Sequence, residues 1–384
     1  MSRLNDIKKT IEAAPKVPLG ELIEQCDERN SNGIYHIDDV KGVSINKVII
    51  DTKADMNGVS LAPYKIFKPS QFCFVPITSR NGERITLSIN NHGRTYIVSS
   101  SYCVFNVIDQ ERLLPMYLYL ILCRPEFDRY SRFNSWGSAR EAFSFDEMCR
   151  VRIPLPPLDV QKEYVDAYDG LQQLIQQNEA LLKPLSDACQ AYLAEVKSKY
   201  KEVILGDYIE EYIQINLDNG IKEVRGVSVS KFFVPTNAKV NKKDLRKYKI
   251  VPPGYIAYVQ TTKNEKCFAF AINNDCFPIV VSAVDRVIYS KAPDILDANY
   301  LALWFRRKEW DRFAIFNSWG SAREVFSYQD FCKSHIPLPP LDVQKSIVAL
   351  HKCAEEARSI ATDARETLRK MCPAMVQRAA HDIK

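Results

Sequence analysis

The chain has 384 residues, 46% apolar, 26% charged and 11% aromatic, with a formal charge of +5. That length and composition fit two or three globular domains with their own cores and exclude a disordered chain. So small a net charge permits a polyanionic partner without requiring one, and local patches must decide.

Residues 1–14 lack the continuous apolar core of a secretory signal. No run approaches the roughly 18 apolar residues of a membrane span, so no membrane partner is expected and the cytoplasm is the expected compartment. Eleven cysteines at irregular intervals include no C-x-x-C pair. Buried thiols in a reducing compartment fit this better than a disulfide frame or a metal site.

Val17-Pro-Leu-Gly-Glu-Leu-Ile-Glu24 has a partner at Val203-Ile-Leu-Gly-Asp-Tyr-Ile-Glu210, the first sign of an internal repeat. Gly42-Val-Ser44 answers Gly226-Val-Ser228, Tyr64-Lys-Ile66 answers Tyr248-Lys-Ile250, and Ile89-Asn-Asn91 answers Ile272-Asn-Asn274. Between these anchors, Phe72–Val75, Thr95–Val98, Ser101–Val107, Tyr255–Val259, Cys267–Ile272 and Ile279–Val281 read as short strands punctuated by Gly, Asn and Pro. They predict a largely antiparallel sheet in each module. A helix follows each sheet, over Leu114–Cys123 and Ala298–Lys308.

The repeat is sharpest next. Phe133–Lys162 and Phe316–Lys345 are identical at 22 of 30 positions with a constant offset of 183. Two equivalent modules in fixed order follow from that. Both stretches pass through Pro-Leu-Pro-Pro, which can neither continue a helix nor fill a central strand. These segments are rigid exits.

After the first exit, Tyr164, Tyr168, Leu171, Ile175, Asn178, Leu182, Leu185, Cys189, Tyr192 and Val196 alternate four and three apart, a coiled-coil pattern. A helix over about 160–200 is roughly 60 Å long at about 1.5 Å per residue, and Pro184 should kink it or force a defect. After the second exit, Leu350, Ala354, Ala357, Ala361, Ala364, Leu368, Met371 and Met375 form a narrower stripe. The expected seam between two antiparallel helices uses Leu171, Leu174, Asn178 and Leu185 from one and Leu350, Ala354, Ala357, Ala361 and Leu368 from the other, with Asn178 as a polar register position. The alternative is that each stripe packs only on its own module.

No Gly-rich nucleotide loop, H-E-x-x-H or G-x-S-x-G occurs, and none of the five histidines repeats between copies. The repeated carboxylates Glu141/Glu324 and Asp159/Asp342 fit ion pairing and helix capping better than catalysis. What does repeat is Asn134, Ser135, Trp136, Gly137, Ser138 and Arg140, matched by Asn317, Ser318, Trp319, Gly320, Ser321 and Arg323. Ser138/Arg140 and Ser321/Arg323 suit a phosphate contact or a structural brace, with the two tryptophans expected in the core. The copies differ in their basic loops. The first carries Lys41, Lys47, Lys53, Arg80, Asn81, Arg84, Asn90, Asn91, His92 and Arg94; the second carries Lys222, Arg225, Lys231, Lys239, Lys242, Lys243, Lys263, Asn264, Lys266, Asn273 and Asn274. Such residues suit a duplex surface, where Arg and Asn read base edges and Lys adds sequence-independent attraction.

The duplicated Gly-Ser-Ala-Arg segment leading into Ile-Pro-Leu-Pro-Pro-Leu-x-x-Gln and a long helix, with Gly206-Asp-Tyr-Ile-Glu210 opening the second module, resembles the specificity subunit of type I restriction-modification systems. The resemblance implies an α+β chain of two target recognition domains with mainly antiparallel sheets, connected and braced by two long antiparallel coiled-coil helices. The expected divisions are 1–158, 159–201, 202–341 and 342–384. It also implies recognition of a bipartite double-stranded DNA target, with the helices fixing the spacer. Two methyltransferase subunits and the restriction subunits would be the protein partners. The subunit itself would catalyse nothing and bind no cofactor, S-adenosylmethionine, ATP and Mg2+ being held by the partners. Rival readings are a specificity module for a combined nuclease-methyltransferase and a scaffold that does not bind DNA.

Overall fold

The computed structural model describes residues 2–52, 54–78, 84–138, 140–236, 241, 243–262, 267–320 and 324–371. Two compact units emerge, one of residues 1–179 with 359–384 and the other of 180–358. This partition cuts the chain differently from the expected four segments, because each unit takes a part of both long helices.

In the first unit, a four-stranded antiparallel sheet has the spatial order Ile23–Cys26, Cys103–Val107, Phe72–Phe74, Leu87–Ile89. Both faces of its central strand Phe72–Phe74 are covered, and that strand is accordingly apolar throughout, while the edge strand Ile23–Cys26 exposes Glu24 and Gln25. Phe72, Phe74 and Phe105 face the main core, while Cys73 and Val104 face a smaller one with Val43, Phe67 and Val98. Two strand pairs, Lys41–Val43 with Ile49–Asp51 and Lys65–Phe67 with Tyr96–Val98, complete the module.

The second unit repeats the plan with Ile209–Glu211, Arg286–Ser290, Ile256–Tyr258 and Phe270–Ile272. Its lesser pairs are Arg225–Val227 with Phe233–Pro235 and Lys249–Val251 with Ile279–Val281.

Each module's entry is hydrogen-bonded to its exit. Val17 lies opposite Ile153 in one two-stranded pair, and Val203 opposite Ile336 in the other. The prolines at the ends of these short pairs therefore interrupt no central ladder. The expected helices are present as Pro115–Leu122 and Ala298–Arg306, each followed by an unexpected one, Pro125–Phe133 and Lys308–Phe316. A further helix, Ser2–Ala13, buries Ile7 and Ile11 in the first core.

The long helices span Leu158–Lys199 and Leu341–Met371. The first continues through Pro184 without ending there, the proline lacking the N–H for one intrahelical bond. Within the first unit, Tyr164 and Tyr168 are buried with Leu368 and Met371, and the Tyr164 hydroxyl donates to the Met371 carbonyl at 3.1 Å. Glu179 pairs with Arg365, so the two helical segments run antiparallel there. Within the second, Cys189, Leu193 and Val196 share a core with Ile347 and Val348.

Ala354, Ala357, Ala361, Ala364 and Leu368 are all buried, as the narrow stripe predicts, and Leu171, Leu185 and Leu350 are half-buried. Leu174, by contrast, is exposed, and Leu193 takes the buried place expected for Tyr192. The stripe drifts because a straight helix turns every 3.6 residues, not every 3.5. The Asn178 amide donates to Leu174 O, 2.8 Å away in its own helix, so this N–H serves no interhelical register. Among the described residues no helix is long and apolar enough to cross a membrane.

Candidate nucleic-acid interface

The conserved ends of the repeat are largely internal braces. Gln161 and Gln344 have no exposed surface. The Gln161 side chain accepts from Leu114 N and donates to Arg112 O and Pro156 O, each at 2.9 Å. Gln344 does the same with Asp297 N, Ile295 O and Pro339 O at 2.7–2.8 Å. Each glutamine thus locks the start of a long helix to the loop before the preceding helix pair. Tyr117 and Tyr300 donate to Pro154 O and Pro337 O, both at 2.9 Å, and pin the proline exits. A Cβ at Gly206 would lie 2.9 Å from the Cys332 Cβ and 3.0 Å from its carbonyl oxygen, so this close approach requires glycine.

After each second short helix the chain turns back, so that Trp136 meets Ala142 and Trp319 meets Val325. In the first, Asn134 donates to Tyr130 O at 2.9 Å and Ser135 Oγ to Ser131 O at 2.6 Å. Trp136 and Ala142 exchange backbone bonds of 3.1 and 3.0 Å. Gly137 has φ +139, and a Cβ on it would meet Arg140 O at 2.3 Å. Asn317, Ser318, Trp319, Gly320 and Val325 reproduce this arrangement.

The turn frames each variable loop. Thr78 N donates to Glu141 O at 2.9 Å immediately before residues 79–83, and Thr262 N to Glu324 O at 3.1 Å immediately before 263–266. Ser138 and Arg140 are exposed on the turn, and Arg132 occupies the Glu141 carboxylate. Trp136 and Trp319 are 65% and 69% exposed, which overturns their expected core placement.

The basic list divides sharply. Lys47 and Lys231 are core residues and not duplex contacts. The Lys47 ammonium is fully buried, 2.7 Å from Asp128, and donates to Leu122 O at 2.6 Å. Lys231 likewise meets Asp311 at 2.8 Å and Phe305 O at 2.8 Å. Burial raises the Asp128 carboxyl pKa despite Lys47 and lowers that of Lys231 despite Asp311. Asp128 and Asp311 in turn accept from the backbone of Ile85 and Phe268, at 3.3 and 2.9 Å.

Asn90 and Asn273 are also buried braces. Asn90 donates to Phe67 O and Arg94 O, both at 2.9 Å, and Asn273 to Val251 O and Phe277 O at 2.8 and 3.1 Å. Each ties the ends of one turn together, so neither amide is available to a base. Lys41 is half-buried against Asp51 at 2.6 Å, and Arg94 pairs with Asp39. Arg84 is half-buried, while Asn91, Lys243 and Asn274 are exposed. Lys53, Arg80, Asn81, Lys239, Lys242, Lys263, Asn264, Lys266, Ser321 and Arg323 lie outside the described residues.

Among the described residues no three His, Cys, Asp or Glu side chains gather to hold a metal. The buried Cys103 thiol is pushed up to about 12, which suits a packing role and not a nucleophile.

Residues 43–186 match the type I restriction modification DNA specificity domain. No curated protein matches the sequence. Among solved structures, the chain is similar to the S subunit of a type I restriction-modification system from M. genitalium. The two are 10% identical over 94% of this chain and 95% of that one, with a TM-score of 0.55. A second likeness is to the HsdS subunit from Thermoanaerobacter tengcongensis, 16% identical over 95% and 96%, with a TM-score of 0.43. The first is a likeness of fold along the whole chain.

Proposed function

We infer that the chain is a type I restriction-modification specificity subunit, the family whose DNA specificity domain its residues 43–186 match. It recognises DNA by sequence within a type I complex and contributes no catalysis of its own. The observation that carries the reading is the repetition of one frame, brace for brace, around loops that differ. A shared frame with divergent loops is what reading two unlike half-sites requires, since backbone contacts position a protein and base contacts specify it.

The target is accordingly bipartite, one half for each unit, with the long helices setting the unread spacer. Two methyltransferase subunits and the restriction subunits are the proposed protein partners, and S-adenosylmethionine, ATP and Mg2+ belong to them. The cytoplasm is the proposed compartment. Selection from randomised duplex DNA, by the purified chain with and without its methyltransferase, tests the reading. Enrichment of two short half-sites at one fixed separation is expected; no enrichment in either state overturns it.

A further inference from the structure

Two pairs of large aromatic side chains stand in solvent at matching places in the two units. Phe133 and Trp136 are 79% and 65% exposed, and Phe316 and Trp319 81% and 69%. Grouped exposed aromatics mark contact surfaces, because leaving such area in water is unfavourable. These are held in place. The left-handed glycine and the reciprocal Trp136–Ala142 backbone bonds fix the turn, and Ser135 anchors its start. The surroundings favour an anion: Arg140 is exposed on the same turn, and the adjacent Glu141 carboxylate is taken by Arg132. Through Thr78 and Thr262 the turns are also tied to the variable loops.

We propose that Trp136 and Trp319 are sequence-independent DNA contacts, each laying its indole face on a backbone sugar at the edge of the half-site read by its own unit. The proposal rests on the specificity reading above. The two half-sites differ in base edges, but the sugar-phosphate backbone is the same in both, so an identical aromatic contact can serve both. In the first unit the exposed Arg140 of the same turn would hold an adjoining phosphate.

Of the four tryptophans, Trp304 and Trp310 are only 5% and 4% exposed. Quenching of indole fluorescence by acrylamide therefore reports mainly on Trp136 and Trp319. Target duplex should protect the complex of this chain and its methyltransferase from quenching, and the protection should shrink in the same complex carrying Trp136→Ala or Trp319→Ala, a difference in which the partner's tryptophans cancel. Trp136→Ala and Trp319→Ala should each weaken binding about 5- to 30-fold, for target and unrelated duplex alike, with the preference between them unchanged. Being exposed, both sites should leave the melting temperature unaltered. Wild-type affinity in both variants, or intact DNA binding with lost assembly with the methyltransferase, overturns the proposal; the latter would make the turn a protein docking surface. If the wild-type complex itself binds no duplex, the specificity reading fails first.

Discussion

Lys47 and Lys231 separate charge in sequence from charge at a surface. Each sits in a turn with positive φ, and each sends its ammonium inward to an aspartate and a carbonyl. Composition could not distinguish them from exposed Lys243, but pairing could have helped. Both lysines recur at matching places, as do Asp128 and Asp311, whereas a base-reading residue has no reason to repeat. Asn90 and Asn273 carried the same signal. At Asp285 the nearby Lys249 ammonium donates to the backbone carbonyl, at 2.7 Å. Burial pushes its carboxyl up to about 6 from 3.8, against the pull of the Ser282 backbone and Lys249. A raised acid pKa means that the folded state holds the proton more tightly, so stability falls as pH rises from about 4 to about 6 and stays reduced above. Asp285→Asn should therefore stabilise the second unit by up to about 3 kcal/mol at pH 7. Chemical denaturation should show the advantage vanish below about pH 4; a gain that persists there would assign it to packing.

Among the elements, the strands and long helices were legible because their apolar periods are strong, and the alanine stripe even gave the buried face. Ser2–Ala13 was missed because Ile7 and Ile11 are its only two fully buried apolar anchors. Pro125–Phe133 was missed because a short, charged helix lacks enough turns to show a period. Pro184 does not end the first long helix. A proline removes one intrahelical bond at a cost of about 3 kcal/mol, which a 42-residue helix packed at both ends can absorb. The proline exits were read as rigid, but what makes them rigid is the glutamine that follows. Gln344→Ala would leave Pro339 O unpaired in a buried place, at about 1–3 kcal/mol, and would remove two part-buried bonds, to Asp297 N and Ile295 O, at about 0.5–1.5 kcal/mol each. The expected loss is about 2–6 kcal/mol in the second unit. Hydrogen exchange should show faster opening around 295–301 and 339–345, with the first unit unaffected; uniform exchange across both units would refute a local brace.

For the molecule as a whole, sequence order and structural membership diverge. Residues 359–371 follow the second module in the chain, yet they belong to the first unit. The side chains of Leu368 and Met371 are buried in its core beside Tyr164 and Tyr168, Met371 O receives the Tyr164 hydroxyl, and Arg365 holds Glu179. The repeat alone puts this segment after the second module as a separate helix, whereas the expected antiparallel seam already sets Leu368 against the first long helix. Truncation after Arg358 makes the difference measurable. It removes the buried Leu368 and Met371, worth about 1.5–3 kcal/mol each, together with the buried Ala361 and Ala364, and exposes the apolar face of Leu158–Glu179. The first unit should lose several kcal/mol while the second, with its own core around Phe268, Phe305 and Phe331, keeps its stability. Segment-resolved hydrogen exchange would show protection falling in residues 2–179 and holding in 202–341. The reverse pattern would mean that the C-terminal helix stabilises the module it follows and not the one it packs against here.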